Sequence, residues 1–405
     1  MTITTKLRSW KKNLKYQWFA TLYVALIGFL VSVILARELG VENFGNYSFI
    51  LSLGLIFAII QDGGYKTLIF RESIDNSSHP LIPFAFAHVI FVTILGILIL
   101  ILLEPQYFIE LLTVFCCMCL VILTSFVSSF LKGRGDFKYD AIWQITIRSL
   151  TACVILLVLF FYDNSSITLL FLGWSVALLF VLIWPVMKGI LKWPKFNFQL
   201  EIFRSSMVFL TIDLATVLYF RSDIVLLEYF GTIKSDVGQY SAASRVIEGL
   251  ILLATPIAQI SFRNLRLKKS KKEFFTLLYQ LLFLMLSIAF FITLIGGFYG
   301  EIFMLFVFGQ EYLHAGQLLP ILLFALLFIL PNYILTQSTI ALNKELFFAK
   351  IVLFVAFLNI LLNLLVIPIY GAQGAAWTTI FSEGVLFLCL GGYMLKAGVN
   401  NANRS

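Results

Sequence analysis

Residues 213–248, DLATVLYFRSDIVLLEYFGTIKSDVGQYSAASRVIE, decide how this chain is read. The stretch is apolar over lengths that enter a bilayer. It nevertheless holds Asp213, Arg221, Asp223, Arg245 and Glu248, whereas the spans around it carry almost no charge. A charge at bilayer depth costs at least about 3 kcal/mol unless it is paired or hydrated, so such residues read first as functional.

The membrane setting follows from composition. Of 405 residues, 60% are apolar and 12% charged, 42 are Phe, and the mean hydropathy is +0.97. Soluble domains run at roughly 45–50% apolar and about 25% charged. A spanning helix needs about 20 mostly apolar residues. Twelve windows meet that length, at residues 16–36, 45–65, 81–103, 108–131, 141–161, 166–187, 203–226, 237–260, 274–298, 317–341, 346–368 and 371–395. The expectation is an all-α membrane protein of twelve transmembrane helices. The first window follows a basic arm and has no small-residue cleavage site, so it reads as a helix rather than a removable signal. All five cysteines fall inside windows without the paired spacing of a zinc site or a disulfide framework.

The net charge of +8 is distributed as a topology signal and not as a nucleic-acid patch. With the N-terminus inside, 24 of the 29 basic residues fall on inner segments. The outer loops around Glu104, Asp163, residues 301–316 and Tyr370 carry none. The positive-inside rule then places both termini in the cytoplasm.

The basic linker with Lys188, Lys192 and Lys195 is the midpoint, dividing the chain into six-helix lobes at 1–195 and 196–405. Phe44-Gly45-Asn46-Tyr47-Ser48, opening the second window, is echoed by Val237-Gly238-Gln239-Tyr240-Ser241, opening the eighth. An echo six helices apart implies a parallel repeat about an axis along the membrane normal. A cavity between the lobes follows from such a repeat.

Other charges also stand out. Asp62-Gly63-Gly64-Tyr65-Lys66 closes the second window with an acid and a base four residues apart, to be read as a stabilising pair or as a substrate or ion site. Arg148 lies about two turns inside the fifth window, facing an internal cavity or snorkelling back to water. His88 reads as a hydrogen-bonded core histidine.

Ala36-Arg37-Glu38-Leu39-Gly40 with Phe44-Gly45-x-Tyr47, Asp62-Gly63-Gly64 followed by Arg71-Glu72, and Arg221-x-Asp223 followed by Gly238-x-Tyr240-Ser241-x-Ala243 resemble the polysaccharide biosynthesis flippases of Wzx type, in the multidrug, oligosaccharidyl-lipid and polysaccharide exporter superfamily. The resemblance implies a MATE-like fold, two six-helix lobes around a cavity that faces each side in turn. It implies as cargo an undecaprenyl-diphosphate-linked oligosaccharide, flipped from the inner to the outer leaflet of the bacterial cytoplasmic membrane for O-antigen, capsule or exopolysaccharide assembly. A polysaccharide polymerase and a chain-length regulator are partners of the same assembly, besides membrane lipid. No cofactor, metal or nucleic acid is implied.

A diphosphate headgroup cannot cross ~30 Å of hydrocarbon unaided. Arginine suits its passage, because the guanidinium stays charged and pairs bidentately with phosphate. Arg245, Arg148 and Arg221 are the intramembrane candidates, with Arg37 at the outer rim and Lys66 at the inner one. Arg245, about nine residues or ~13 Å into its window, lies nearest the midplane. The acids Glu248, Asp213, Asp223, Glu383 and Asp62 have two readings. They pair with these cations, Arg245 with Glu248 and Arg221 with Asp223, or they bind H+ or Na+ as a coupling ion. A cation-coupled multidrug or small-molecule exporter of the same fold is the nearer alternative. A membrane glycosyltransferase or polymerase is the more distant one, because the largest outer loop is short and poor in chemical groups.

Overall fold

The computed structural model describes residues 3–74, 81–103, 105–162, 166–195, 200–231, 233–266, 268 and 270–402. Glu104 and Asp163, which marked two of the outer loops, lie outside them. Among the described residues the chain is helical without strands. Hydrocarbon leaves a backbone little choice, since a helix satisfies its polar groups within one segment.

Eleven α-helices are present among the described residues: α1 (Ile3–Asp62), α2 (Tyr65–Ile74), α3 (Leu81–Leu103), α4 (Phe108–Gly133), α5 (Phe137–Phe161), α6 (Ile167–Met187), α7 (Leu200–Phe230), α8 (Ser235–Arg266), α9 (Lys271–Phe308), α10 (Leu313–Ala341) and α11 (Glu345–Ala402). Eight segments among the described residues are long and apolar enough to cross a membrane. Two of these are double. α1 turns at Gly40 (φ 70°, ψ 172°) and α11 at Gly371 (φ 53°, ψ −136°), each a backbone conformation that glycine adopts without strain. The expected windows 16–36 and 45–65 thus fall on the two arms of α1, the second arm ending at Asp62 before Gly63 and Gly64, and 346–368 and 371–395 fall on those of α11.

The chain forms two compact units. One comprises Met1–Val31 with Phe49–Val217, the other Ser32–Ser48 with Leu218–Ser405. The bend of α1 therefore packs within the second unit, and the first half of α7 within the first.

In the first unit α4 is the central helix, packed on α2, α3, α5 and α6. The Phe57 ring stacks on Phe115 at 3.9 Å between centroids, and Gly54 admits Val114 of α4. Toward the end of α4 that carries Lys132, Val127 and Leu131 close a core with Trp143 and Val181. The Trp143 indole donates to the Thr124 carbonyl at 3.1 Å, satisfying its one polar atom.

In the second unit α10 takes the central place, against α8, α9 and α11. Two-thirds of its apolar window is buried, against 11% for α9, so α9 gives its apolar side to the surroundings and α10 to the protein. The bend of α1 is fastened here. The Tyr312 hydroxyl donates to the Ala36 carbonyl at 2.8 Å, and Phe44 is fully buried against the Tyr312 ring. The two copies of the sequence echo meet at this point. A Cβ on Gly45 would lie 2.9 Å from the Gly238 nitrogen, and one on Gly238 would strike the Val41 carbonyl. Small residues at a helix crossing let backbones approach this closely.

Candidate functional site

Three charged residues of the second unit, Arg221, Arg245 and Glu248, meet where α7 and α8 face each other. One oxygen of Glu248 lies 2.8 Å from Arg245 Nη1 and the other 3.0 Å from Arg221 Nη1. Both arginines are largely buried, 14% and 15% exposed at the side chain, while Glu248 is 36% exposed and opens the group to its surroundings. Arg245 and Glu248 are three residues apart on one helix face and pair as expected.

Arg221 does not pair as expected: its ion pair is with Glu248 and not with Asp223. Residues two apart in a helix point to different faces, so Arg221 and Asp223 diverge. Asp223 is buried and accepts from the Ile224 amide at 2.9 Å and from the Tyr240 hydroxyl. The Tyr of the second echo motif thus serves a carboxylate, a role its sequence position did not disclose.

Glu383 lies deeper, 3% exposed. It accepts from the Tyr219 hydroxyl at 2.8 Å and from the Asn332 side-chain amide at 2.7 Å, and that amide also reaches the Glu383 carbonyl at 3.0 Å. Beside it, Ser222 donates to Asn359 at 3.4 Å, Asn363 to Asn359 at 3.2 Å, and Asn359 to Ser382 at 3.2 Å. Two neutral donors, Tyr219 of α7 and Asn332 of α10, therefore hold the acid on α11, next to a second neutral chain between α7 and α11. The asparagines and Tyr219 were not singled out in the sequence, because neutral polar residues carry no signal there comparable to a charge.

The first unit holds a second group. Gly63 and Gly64 have positive φ (59° and 78°) and break the helix between Asp62 and Lys66. The expected side-chain pair does not form across this break. Asp62 accepts from the Lys66 backbone amide at 3.1 Å, while the Lys66 ammonium lies 4.0 Å from Asp213 on α7. Asp62 is 1% exposed, and its Oδ2 has no hydrogen-bond partner among the described residues. His88 packs over Gly63 and contacts the Ile60 carbonyl at 3.1 Å through Nε2, in keeping with a core histidine.

Arg148 is turned toward α1. Its Nε donates to the Val24 carbonyl at 3.2 Å, and its guanidinium occupies the space that a Cβ on Gly28 would need. Arg37 is engaged as well: Nε and Nη2 donate to the carbonyls of Val307, at 2.7 Å, and Phe306. A cation on the last carbonyls of α9 satisfies groups that a helix end leaves open and complements its dipole. Arg37 therefore clamps the bend of α1 to the end of α9.

A further acid escaped the sequence reading. Asp140, fully buried, accepts from Gln17 at 2.8 Å, Gln144 at 2.7 Å and Ser128, with Lys132 at 3.7 Å. It was not singled out because α5 starts at Phe137, four residues ahead of the apolar window at 141–161, and Asp140 lies in that lead-in turn. No cluster of three or more potential metal ligands exists among the described residues.

Comparison with known proteins agrees with this architecture. Capsular polysaccharide biosynthesis protein CapF of Staphylococcus aureus is 26% identical over 393 residues, 93% of this chain and 97% of that protein. The lipid II flippase MurJ, in an inward closed conformation, superposes with a TM-score of 0.73 at 16% identity over 92% of this chain and 86% of that one. The MATE multidrug transporter DinF-BH gives 0.67 at 13% identity over 96% and 95%. At these identities the two structures establish the fold, that of the MurJ and MATE transporters. The model of the polysaccharide biosynthesis protein family matches residues 10–262, more than half of the chain, and the protein belongs to that family.

Proposed function

We propose that the protein flips an undecaprenyl-diphosphate-linked oligosaccharide from the inner to the outer leaflet of a bacterial cytoplasmic membrane, supplying O-antigen, capsule or exopolysaccharide assembly. It does so as a transporter and not as an enzyme, through two six-helix lobes of a twelve-span chain with both termini in the cytoplasm. The observation that carries the reading is the Arg221–Glu248–Arg245 group: two largely buried guanidiniums on α7 and α8 held by one shared carboxylate.

A shared carboxylate is a resident anion. It keeps both cations paired when no cargo is present, since an unpaired buried charge is strongly unfavourable. A diphosphate brings more charge and more acceptor oxygens than one carboxylate, so it exchanges for Glu248 at the same guanidiniums. Binding is then a substitution of one anion for another and not the desolvation of a free pair. The resemblance of CapF, whose name places it in capsular polysaccharide biosynthesis, supports the same cargo class.

A cation-coupled exporter is the second reading, favoured by the buried acids Asp62 and Glu383. In the flippase reading these acids, with Asp213 and Asp223, exchange H+ or Na+ to drive the cycle. The test is Arg245→Ala. Export of the polysaccharide should stop while protein level and membrane insertion stay normal; full export would remove Arg245 from the site. Transport in liposomes that ignores both pH and sodium gradients would end the coupling reading without touching the cargo.

A further inference from the structure

The first unit carries a cavity that the transport reading does not use. It has a volume of about 770 Å³ and lies at the end of α4 and α6 where the basic residues collect. Its charged lining is Arg134, Lys188 and Lys192 against Glu72 and Asp136. The wall behind them is apolar, with Ile82, Leu131, Ile190 and the Trp184 ring.

The cations are held in place by backbone structure. α6 ends in a tight return at Gly189 (φ 64°), where the amides of Ile190 and Leu191 both donate to the Pro185 carbonyl, at 2.9 and 3.1 Å. The Lys195 amide then donates to the Pro83 carbonyl at 3.0 Å, tying the segment with Lys188 and Lys192 to the start of α3. Arg134 lies over the Phe130 ring, 4.5 Å from its centroid. Trp184 packs on Trp143 at 5.6 Å.

The outer face of α6 leads to this cavity. Val176, Phe180, Ile183 and Met187 recur at helical spacing and are 61%, 68%, 52% and 80% exposed. The stripe ends one residue before Lys188. A pocket lined by three cations, with an apolar wall below it and an exposed apolar stripe alongside, matches an amphiphile with a negatively charged head and acyl chains. A soluble anion would have no use for the stripe.

We propose that this cavity binds the phosphate headgroup of an anionic phospholipid, with its acyl chains along α6. The site is independent of the cargo, and its occupant is a resident lipid. The identity of the leaflet rests on the topology above, but binding does not.

The test uses the full chain in a neutral detergent, incubated with phosphatidylglycerol or phosphatidylcholine at equal concentration and weighed by native mass spectrometry. Phosphatidylglycerol should be retained at least tenfold better. Each of Arg134→Gln, Lys188→Gln and Lys192→Gln should weaken retention about fivefold, the effect of one basic residue near an anionic lipid. Lys271→Gln with Lys272→Gln, exposed on α9, should leave it unchanged. Lys192 is exposed in an irregular segment outside any helix, so the result of Lys192→Gln does not depend on a change in folding. Equal retention of the two lipids, loss of retention in the α9 control, or wild-type retention in all three single variants would each overturn the proposal.

Discussion

Replacing Glu248 by Gln removes the charge that two arginines share while keeping the side chain's size. A charge-assisted hydrogen bond contributes about 1.5–3 kcal/mol; the 2.8 Å contact to Arg245 is one, and the 3.0 Å approach of Arg221 adds an ion pair without hydrogen-bond geometry. Glu248 is 36% exposed, so water replaces part of what is lost. The net loss is set at about 3 kcal/mol for the group, below the simple sum. At about 2 cal/mol/K per residue, a chain of this length loses roughly 3–4 °C in Tm. The assay is thermal unfolding of the purified protein in detergent, followed by the monodisperse fraction surviving each temperature. In an Arg221→Gln, Arg245→Gln background Glu248 has no cation left to hold, and Glu248→Gln should then lower Tm by less than about 1 °C. Equal shifts in the two backgrounds, or none in the wild type, would refute the shared pairing.

Three further substitutions probe the packing by the sign of their effect. Gly28→Ala should lower Tm, since the new Cβ displaces the Arg148 guanidinium at about 1–3 kcal/mol; helix propensity alone would raise stability by up to about 1 kcal/mol, so a higher Tm would place Arg148 elsewhere. Gly238→Ala should behave likewise and more severely, because the obstruction is the Val41 carbonyl and not a mobile side chain; an unchanged Tm would show that the echo motifs do not meet. Asp140→Ala should cost about 3–5 kcal/mol by leaving buried donors and a lysine without their acceptor, read as loss of folded protein in membranes, with Asp140→Asn milder; wild-type levels of the alanine variant would contradict the network.

Eight apolar segments, two of them double, were legible because hydrophobic length and glycine position are local properties. Gly40 falls between the windows 16–36 and 45–65, and the chain turns there. The echo at Gly45 and Gly238 was legible too, although only the structure shows that the two copies touch. Pairing was legible only within one unbroken helix. Arg245 and Glu248 sit on one face and pair, whereas Arg221 finds its partner 27 residues away on α8 because its near neighbour Asp223 points elsewhere. Asp62 and Lys66 have the right spacing, but Gly63 and Gly64 end the helix that would have brought their side chains together. Arg37 and Arg148 bind backbone carbonyls, and a carbonyl has no residue type to find in a sequence. The neutral donors around Glu383 had no signature because Asn and Tyr become informative only once the helices that carry them are packed.

The central claim is movement of a lipid-linked oligosaccharide across the membrane, and the most direct measurement is which leaflet holds that lipid in cells lacking the protein. Spheroplasts and inverted vesicles from the deletion strain are treated with an impermeant sugar-specific lectin. The lipid-linked oligosaccharide should accumulate and be labelled only in inverted vesicles, with expression of the protein restoring labelling in spheroplasts. Labelling of spheroplasts at the wild-type level in the deletion strain would contradict the claim.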